Sequence, residues 1–111
     1  MMNTLNLGFG RISVPVVTPF DENENVNYGV YEELIDYIIT NGMADSIIST
    51  GTTGEASSLM FDERVELFKT AKKAIKGRCK LICGTGCAST KETILLTKKA
   101  VKIGADFCMI V

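Results

Sequence analysis

Ser46-Ile47-Ile48-Ser49-Thr50-Gly51-Thr52-Thr53-Gly54-Glu55 is the stretch whose reading decides the fold. Its first five residues are short and β-branched enough for a strand, and the glycines that follow permit backbone conformations other residues resist. A strand therefore runs straight into a loop carrying two hydroxyls and a row of backbone N–H groups. Such a loop suits a small anion, because N–H groups of a tight glycine turn converge on carboxylate or phosphate oxygens. The competing reading is a plain turn in which the Thr52 and Thr53 hydroxyls satisfy local backbone groups. On the residues alone the two stand about even. Glu55 reads as a structural carboxylate that holds the loop through backbone N–H groups, ahead of a general base.

The same strand-then-helix pattern repeats on both sides of this stretch. Ser13 to Thr18 reads as a strand, followed by a polar loop through Asp21 to Asn25 and a helix from about Tyr28 to Asn41. Val30, Leu34, Ile35 and Ile38 fall at the spacing of one helix face, with Asn27 as N-cap and Gly42 as the stop. After the Ser46 strand and its loop, a second helix spans about Asp62 to Ile75, with Val65, Leu67, Phe68 and Ala71 apolar and Gly77 closing it. Leu81-Ile82-Cys83 opens a third unit, which turns through Gly84-Thr85-Gly86 and enters a helix near Thr90 to Ile103. Ser89 and Glu92 have the spacing of a capping box there, and Gly104 ends the helix. Phe107 to Val111 reads as a fourth strand.

Strand starts recur every roughly 27 to 34 residues, the size of one βα unit. Alternation of this kind implies a parallel sheet, and the nearly continuous apolar strands imply burial on both faces. The expected class is α/β, built of parallel (β/α) units. Five apolar residues in the last strand would each contribute about 1.5–3 kcal/mol if buried, a sum near a whole domain's net stability of about 5–15 kcal/mol. An open edge of that kind invites association, so the reading expects further chain beyond Val111. A closed eight-stranded barrel needs about 250 residues, and 111 is slightly under half of that.

Composition excludes several classes of partner. The 111 residues carry 12 basic and 13 acidic side chains, a formal charge of −1 with no basic block, which argues against nucleic acid and anionic membrane. No apolar run approaches the roughly 20 residues that span a bilayer, and the N-terminus lacks the charged-then-apolar order of a signal peptide. A cytoplasmic location is expected. Cys79, Cys83 and Cys87 recur at a spacing of four but straddle one strand and its loop, so they share no helix face. With no histidine and no C-x-x-C pair, the four cysteines read as buried or loop thiols and no metal site is expected.

In parallel α/β folds chemistry sits at the carboxyl ends of the strands, here Thr18-Pro19-Phe20, Gly51 to Ser58 and Gly84 to Ala88. The lysines at 69, 72, 73, 76, 91, 98, 99 and 102 fall on expected helices and Lys80 at a strand start, so none is placed as a desolvated nucleophile.

These residues carry a resemblance. Gly51-Thr52-Thr53-Gly54-Glu55, with Val17-Thr18-Pro19-Phe20 before it and Gly84-Thr85-Gly86 and Gly104-Ala105-Asp106 after it, is similar to the dihydrodipicolinate synthase and N-acetylneuraminate lyase family. The likeness runs from about Gly10 to Val111. It implies that residues 1–111 form the N-terminal portion of a single (β/α)8 TIM-barrel domain, about its first half, with four strands and three helices, truncated after the fourth strand. It implies a lyase or aldolase that joins a barrel lysine to pyruvate or another 2-oxo acid as a Schiff base, without a cofactor. Most generically this is 4-hydroxy-tetrahydrodipicolinate synthase chemistry, in the service of lysine biosynthesis; a 4-hydroxy-2-oxoglutarate aldolase, suggested by Gly84 to Thr90, or a sugar-acid lyase is the alternative within the family. By the resemblance Thr53, with the N–H groups of Thr52 and Thr53 and the turn glycines Gly51 and Gly54, holds the 2-oxo acid carboxylate. Thr52 matches the threonine that relays a proton with tyrosines, and its hydroxyl is chemically able to accept and donate at once.

The family's Schiff-base lysine, its tyrosines and its outer-pocket arginine match no residue here and are expected after Val111, so the 111-residue chain alone is expected to be inactive. Family members are commonly tetramers, which implies a homo-oligomer. Residues of the lysine-regulated synthases align with Ala56, Ala88 and Glu92, of which only Glu92 keeps a side chain suited to lysine. Outside that activity, two readings remain: an inactive half-barrel that binds small carboxylates or a partner half, and a barrel whose Gly51 to Gly54 loop holds phosphate.

Overall fold

In a computed structural model, which describes residues 8–111, the chain forms four parallel strands in the order β1-β2-β3-β4. The elements alternate: β1 (Ser13–Pro15), α1 (Tyr28–Thr40), β2 (Ser46–Ser49), α2 (Phe61–Ile75), β3 (Lys80–Gly84), α3 (Thr90–Ile103) and β4 (Phe107–Met109), with a short 3-10 turn at Ala56–Ser58. A sheet whose neighbours follow chain order, with α1 against α2 and α2 against α3, is wound in one direction only. That is the winding of a barrel, and four strands are half of the eight that close one. The α/β class, the parallel units and the count of four strands and three helices stand as the sequence implies.

Residues alternate between the two faces of the sheet. Ile47 on β2 and Leu81 on β3 are register partners, as are Ser49 and Cys83. Ile47, Leu81 and Cys83 join Tyr31, Ile35, Leu67, Phe68, Ala71, Leu96 and Ala100 in one core beneath the helices. Ile82 is buried too, but outside that core, and it pairs with Ile48 on one side and Phe107 on the other. This second layer lines the opposite face, where Phe9 meets Phe107 edge-on with ring centroids 5.3 Å apart. Burial on both faces explains why the strands read as unbroken apolar runs.

Helix ends follow local chemistry. Asn27 accepts from the Val30 N–H, and Ser89 accepts from the Glu92 N–H, each at 3.1 Å. At α2 the Glu63 carboxylate reaches back to the Met60 N–H at 2.8 Å. The helix stops use left-handed residues at Lys76 and Gly104.

Three expectations need correction. The buried stripe of α1 is Tyr31, Ile35 and Ile38, while Val30 is exposed, because the Tyr31 hydroxyl finds a buried partner in Ser49 Oγ at 2.8 Å and so the ring can turn inward. β1 ends at Pro15, not Thr18, although the Val16 N–H still donates to Ile48 O. β4 ends at Met109, and Ile110 and Val111 lie 62% and 93% exposed. A strand needs a neighbour to hold its ladder, and none of the described residues flanks β4 on its outer side.

At the amino ends of the strands two aspartates repeat one device. Asp45 Oδ2 accepts from the N–H groups of Arg11 and Ile12 at 2.8 and 2.9 Å, and Asp106 Oδ2 accepts from the Leu81 N–H at 2.9 Å. Each carboxylate, placed just before its own strand, satisfies donors at the start of the preceding one. The Ile12 and Arg11 N–H groups hold the Asp45 carboxyl below the usual carboxylate range.

Candidate functional site

The carboxyl ends of β1, β2 and β3 bring three loops together, and the loop after β2 is the most constrained of them. Thr50 takes φ +53° and Glu55 φ +58°, left-handed conformations that cost a non-glycine residue about 1–2 kcal/mol each. Between them the chain folds tightly: Gly54 N–H donates to Gly51 O, Glu55 N–H to Thr52 O and Ala56 N–H to Gly51 O. Neighbouring loops fix this turn from outside. Buried Thr18 donates from Oγ1 to Gly54 O at 2.7 Å, and buried Thr50 donates from Oγ1 to Gly84 O at 2.8 Å.

Gly54 and Gly84 are glycine for steric reasons. A Cβ on Gly54 would lie 3.1 Å from Val16 O and 3.2 Å from Thr50 Cα, and one on Gly84 would lie 2.3 Å from Thr50 O. Both glycines therefore let backbones meet that a side chain would hold apart.

What the turn leaves free defines its chemistry. The N–H groups of Thr52 and Thr53, and both threonine hydroxyls, have no hydrogen-bond partner among the described residues, and both residues are exposed. A turn that used its threonines to satisfy its own backbone would not leave them so. Glu55 departs from its expected role: the side chain is exposed and its carboxylate bonds no described residue, because the left-handed backbone turns it outward. The backbone of Glu55 shapes the loop; its carboxylate does not hold it.

Gly51 and Thr52 also line a cleft of about 570 Å³ together with Ala56, Arg64, Cys87 and Glu92. Thr53 and Gly54 do not line it, and Gly54 is buried. Among the described residues no lysine lines the cleft. Of the predicted helix lysines, Lys76 is instead the residue that ends α2.

Arg64 was not singled out from the sequence, yet it ties α2 to the third loop. It is 6% exposed, and its guanidinium donates from Nη2 to Gly84 O at 2.6 Å and from Nη1 to Gly86 O at 3.0 Å. The signal was present: Arg64 stands three and four residues before Leu67 and Phe68, on the buried stripe of α2.

Sequence and structural comparisons agree with this architecture. The dihydrodipicolinate synthetase family model matches residues 8–111. The chain belongs to this family. It is 48% identical over 98 residues to the 4-hydroxy-tetrahydrodipicolinate synthase of Microcystis aeruginosa, covering 88% of this chain and 33% of that one. The corresponding synthase of Bacillus subtilis is 43% identical over 105 residues, covering 95% and 36%. Among solved structures, the synthase of Cyanidioschyzon merolae with lysine bound superposes with a TM-score of 0.87 at 43% identity, over 92% of this chain and 35% of that one. N-acetylneuraminate lyase from Mycoplasma synoviae gives 0.86 at 28% identity, over 96% and 36%. The chain thus spans about a third of the length of the curated relatives it matches.

Proposed function

We propose that this chain is the N-terminal portion of a single (β/α)8 barrel enzyme, a lyase of the 4-hydroxy-tetrahydrodipicolinate synthase type, and that it supplies the cradle for the carboxylate of pyruvate. The observation that carries this reading is the pair of unpartnered N–H groups and hydroxyls at Thr52 and Thr53. Three neutral donors, the Thr53 hydroxyl and the N–H groups of Thr52 and Thr53, orient a carboxylate without the charge that would suppress a neighbouring cationic imine. Thr53 holds the carboxylate, while the Thr52 hydroxyl passes a proton as acceptor and donor. The amine that forms the imine belongs to a lysine outside these 111 residues, and the chain by itself does not turn over substrate. The complete protein acts in the cytoplasm as a homo-oligomer.

Within the family, the N-acetylneuraminate lyase likeness keeps a sugar-acid substrate as the second reading. Lysine binding is not part of the proposal, since Ala56 and Ala88 offer no side-chain hydrogen bond in the cleft that Glu92 shares.

Amide-resolved NMR titration tests the cradle. Pyruvate is expected to shift the Thr52 and Thr53 amides, and inorganic phosphate is expected not to displace it. Thr53→Val should weaken pyruvate binding about tenfold, the worth of one hydrogen bond to a charged group. Shifts confined to other residues, or equal competition by phosphate, would overturn the reading. Borohydride trapping with pyruvate should leave every lysine of the chain unmodified; a covalent adduct at any of them refutes the expected absence of the amine.

A further inference from the structure

Charge and apolar surface are divided unevenly between the two ends of the sheet. Both edge strands, β1 and β4, lack a neighbour on their outer side among the described residues. The helices beside them carry opposite charge: α1 has Glu32, Glu33 and Asp36 with no basic residue, a sum of −3, and α3 has four lysines against Glu92, a sum of +3. None of Lys91, Lys98, Lys99 and Lys102 forms an ion pair among the described residues. Between them α2, with a helix on either side, exposes no large hydrophobic side chain from Phe61 to Ile75, whereas α1 exposes Val30 and Tyr37 and α3 exposes Ile94, Leu95 and Val101. Val30 and Tyr37 lie on the side of α1 away from α2, because Glu32 and Asp36 occupy the side that meets Lys73 and Arg78. Apolar flanks on the two outer helices and none on the middle one mark a missing lateral neighbour, not scattered surface residues.

We propose that two copies of this chain associate head to tail, the β4 edge of each against the β1 edge of the other, closing eight parallel strands about a two-fold axis. Strand direction permits this: all four strands run parallel and in chain order, so β4 of one copy can meet β1 of the next as β1 meets β2. A head-to-tail contact closes into a ring when its rotation divides the circle, and two sets of four make the eight strands of a barrel. The same step sets basic α3 of one copy opposite acidic α1 of the other across the joint, so that charge orients the encounter. Pairing β4 with β4 would instead set α3 against α3, four lysines facing four.

The inference concerns the 111 residues as a separate chain. It stands whether or not the Thr52–Thr53 loop holds pyruvate.

Sedimentation velocity over a range of concentrations tests it. The chain should pass from one mass to twice that mass and stop there; a chain that stays single, or goes on to larger assemblies, overturns the proposal. Raising sodium chloride from about 0.05 to about 0.5 M should weaken the association at least about threefold by screening, and an association that salt leaves unchanged or strengthens overturns it. Val101→Glu and Tyr37→Lys alter exposed side chains beside opposite edges of the sheet, and each alone should weaken self-association about tenfold. Mixed, the two variants should associate again, since one joint then carries both substitutions with opposed charge and the other carries neither. Failure of the mixture to associate, with both variants folded, refutes the head-to-tail arrangement. Should either variant lose its melting transition, amide hydrogen exchange in the unsubstituted chain decides. Ser13–Pro15 and Phe107–Met109 should gain protection as the doubled species forms, and protection gained only elsewhere overturns the pairing.

Discussion

Replacing Gly84 by alanine should be among the most damaging single-methyl changes available to this chain. The added carbon would sit 2.3 Å from Thr50 O and 2.8 Å from Thr50 C, which is backbone and not the tip of a side chain. An ordinary carbon–oxygen contact is about 3.3 Å, so Thr50 or β3 must yield by roughly 1 Å. Thr50 cannot absorb this by rotating freely, since it already stands at φ +53° with its hydroxyl on Gly84 O. The displacement also strains the 2.6 Å bond from Arg64 Nη2 to the same carbonyl. Overpacking costs about 1–3 kcal/mol and a weakened bond to a charged group about 1–2 more, against a net stability of about 5–15 kcal/mol. We expect a loss near 3 kcal/mol.

Two other glycines calibrate the measurement. Gly42→Ala meets empty space at φ +66° and should cost only the left-handed penalty of about 1–2 kcal/mol. Gly29→Ala, within α1, has ordinary backbone and its nearest neighbour at 3.7 Å, and should stabilise by about 0.5–1 kcal/mol. Urea unfolding followed by circular dichroism reads all three as shifts in midpoint at constant slope. Should Gly84→Ala cost no more than Gly42→Ala, the close approach of Thr50 to β3 is not what holds these loops.

Thr18→Val removes the donor to Gly54 O while keeping the shape, leaving a buried carbonyl unsatisfied at about 1–3 kcal/mol. Faster hydrogen exchange at the Gly54 and Ala56 amides should accompany it, and unchanged exchange would refute the anchoring role. Tyr31 gives a signature in alkali: burial raises its folded pKa to about 12, against about 10 for an unfolded tyrosine. Its share of stability is intact below pH ~10 and falls by up to about 1.4 kcal/mol per pH unit until pH ~12. Tyr31→Phe should abolish that descent, so the difference between the two proteins' urea midpoints must narrow between pH 10 and 12. A constant difference would show that Tyr31 ionises alike in both states.

Much of the fold was legible because βα alternation rests on periodicity and caps, which are local. The helix at Thr90–Ile103 and its Ser89 cap are both found where the spacing puts them. Side-chain placement was less legible where a polar atom on an apolar stripe is satisfied by a distant residue. Tyr31 is buried through Ser49, eighteen positions away, and Arg64 through Gly84 and Gly86, about twenty away. Nothing in the neighbourhood of either residue announces its partner. The strand-to-loop passage at Thr50 to Gly54 was legible from its glycines, but the left-handed turns at Thr50 and Glu55 that shape the loop were not. Backbone conformation of that kind is set by the packing of Gly54 and Gly84, which a linear reading does not supply.

The paired aspartates bear on how such a scaffold can change over time. Asp45 and Asp106 secure the amino ends of the strands, whereas every loop proposed for chemistry lies at the carboxyl ends. Binding residues can therefore be exchanged without loosening the clamps, and the clamps can be strengthened without reshaping what the loops recognise. A scaffold partitioned in this way can acquire new substrates by small steps, each of which starts from a chain that still folds.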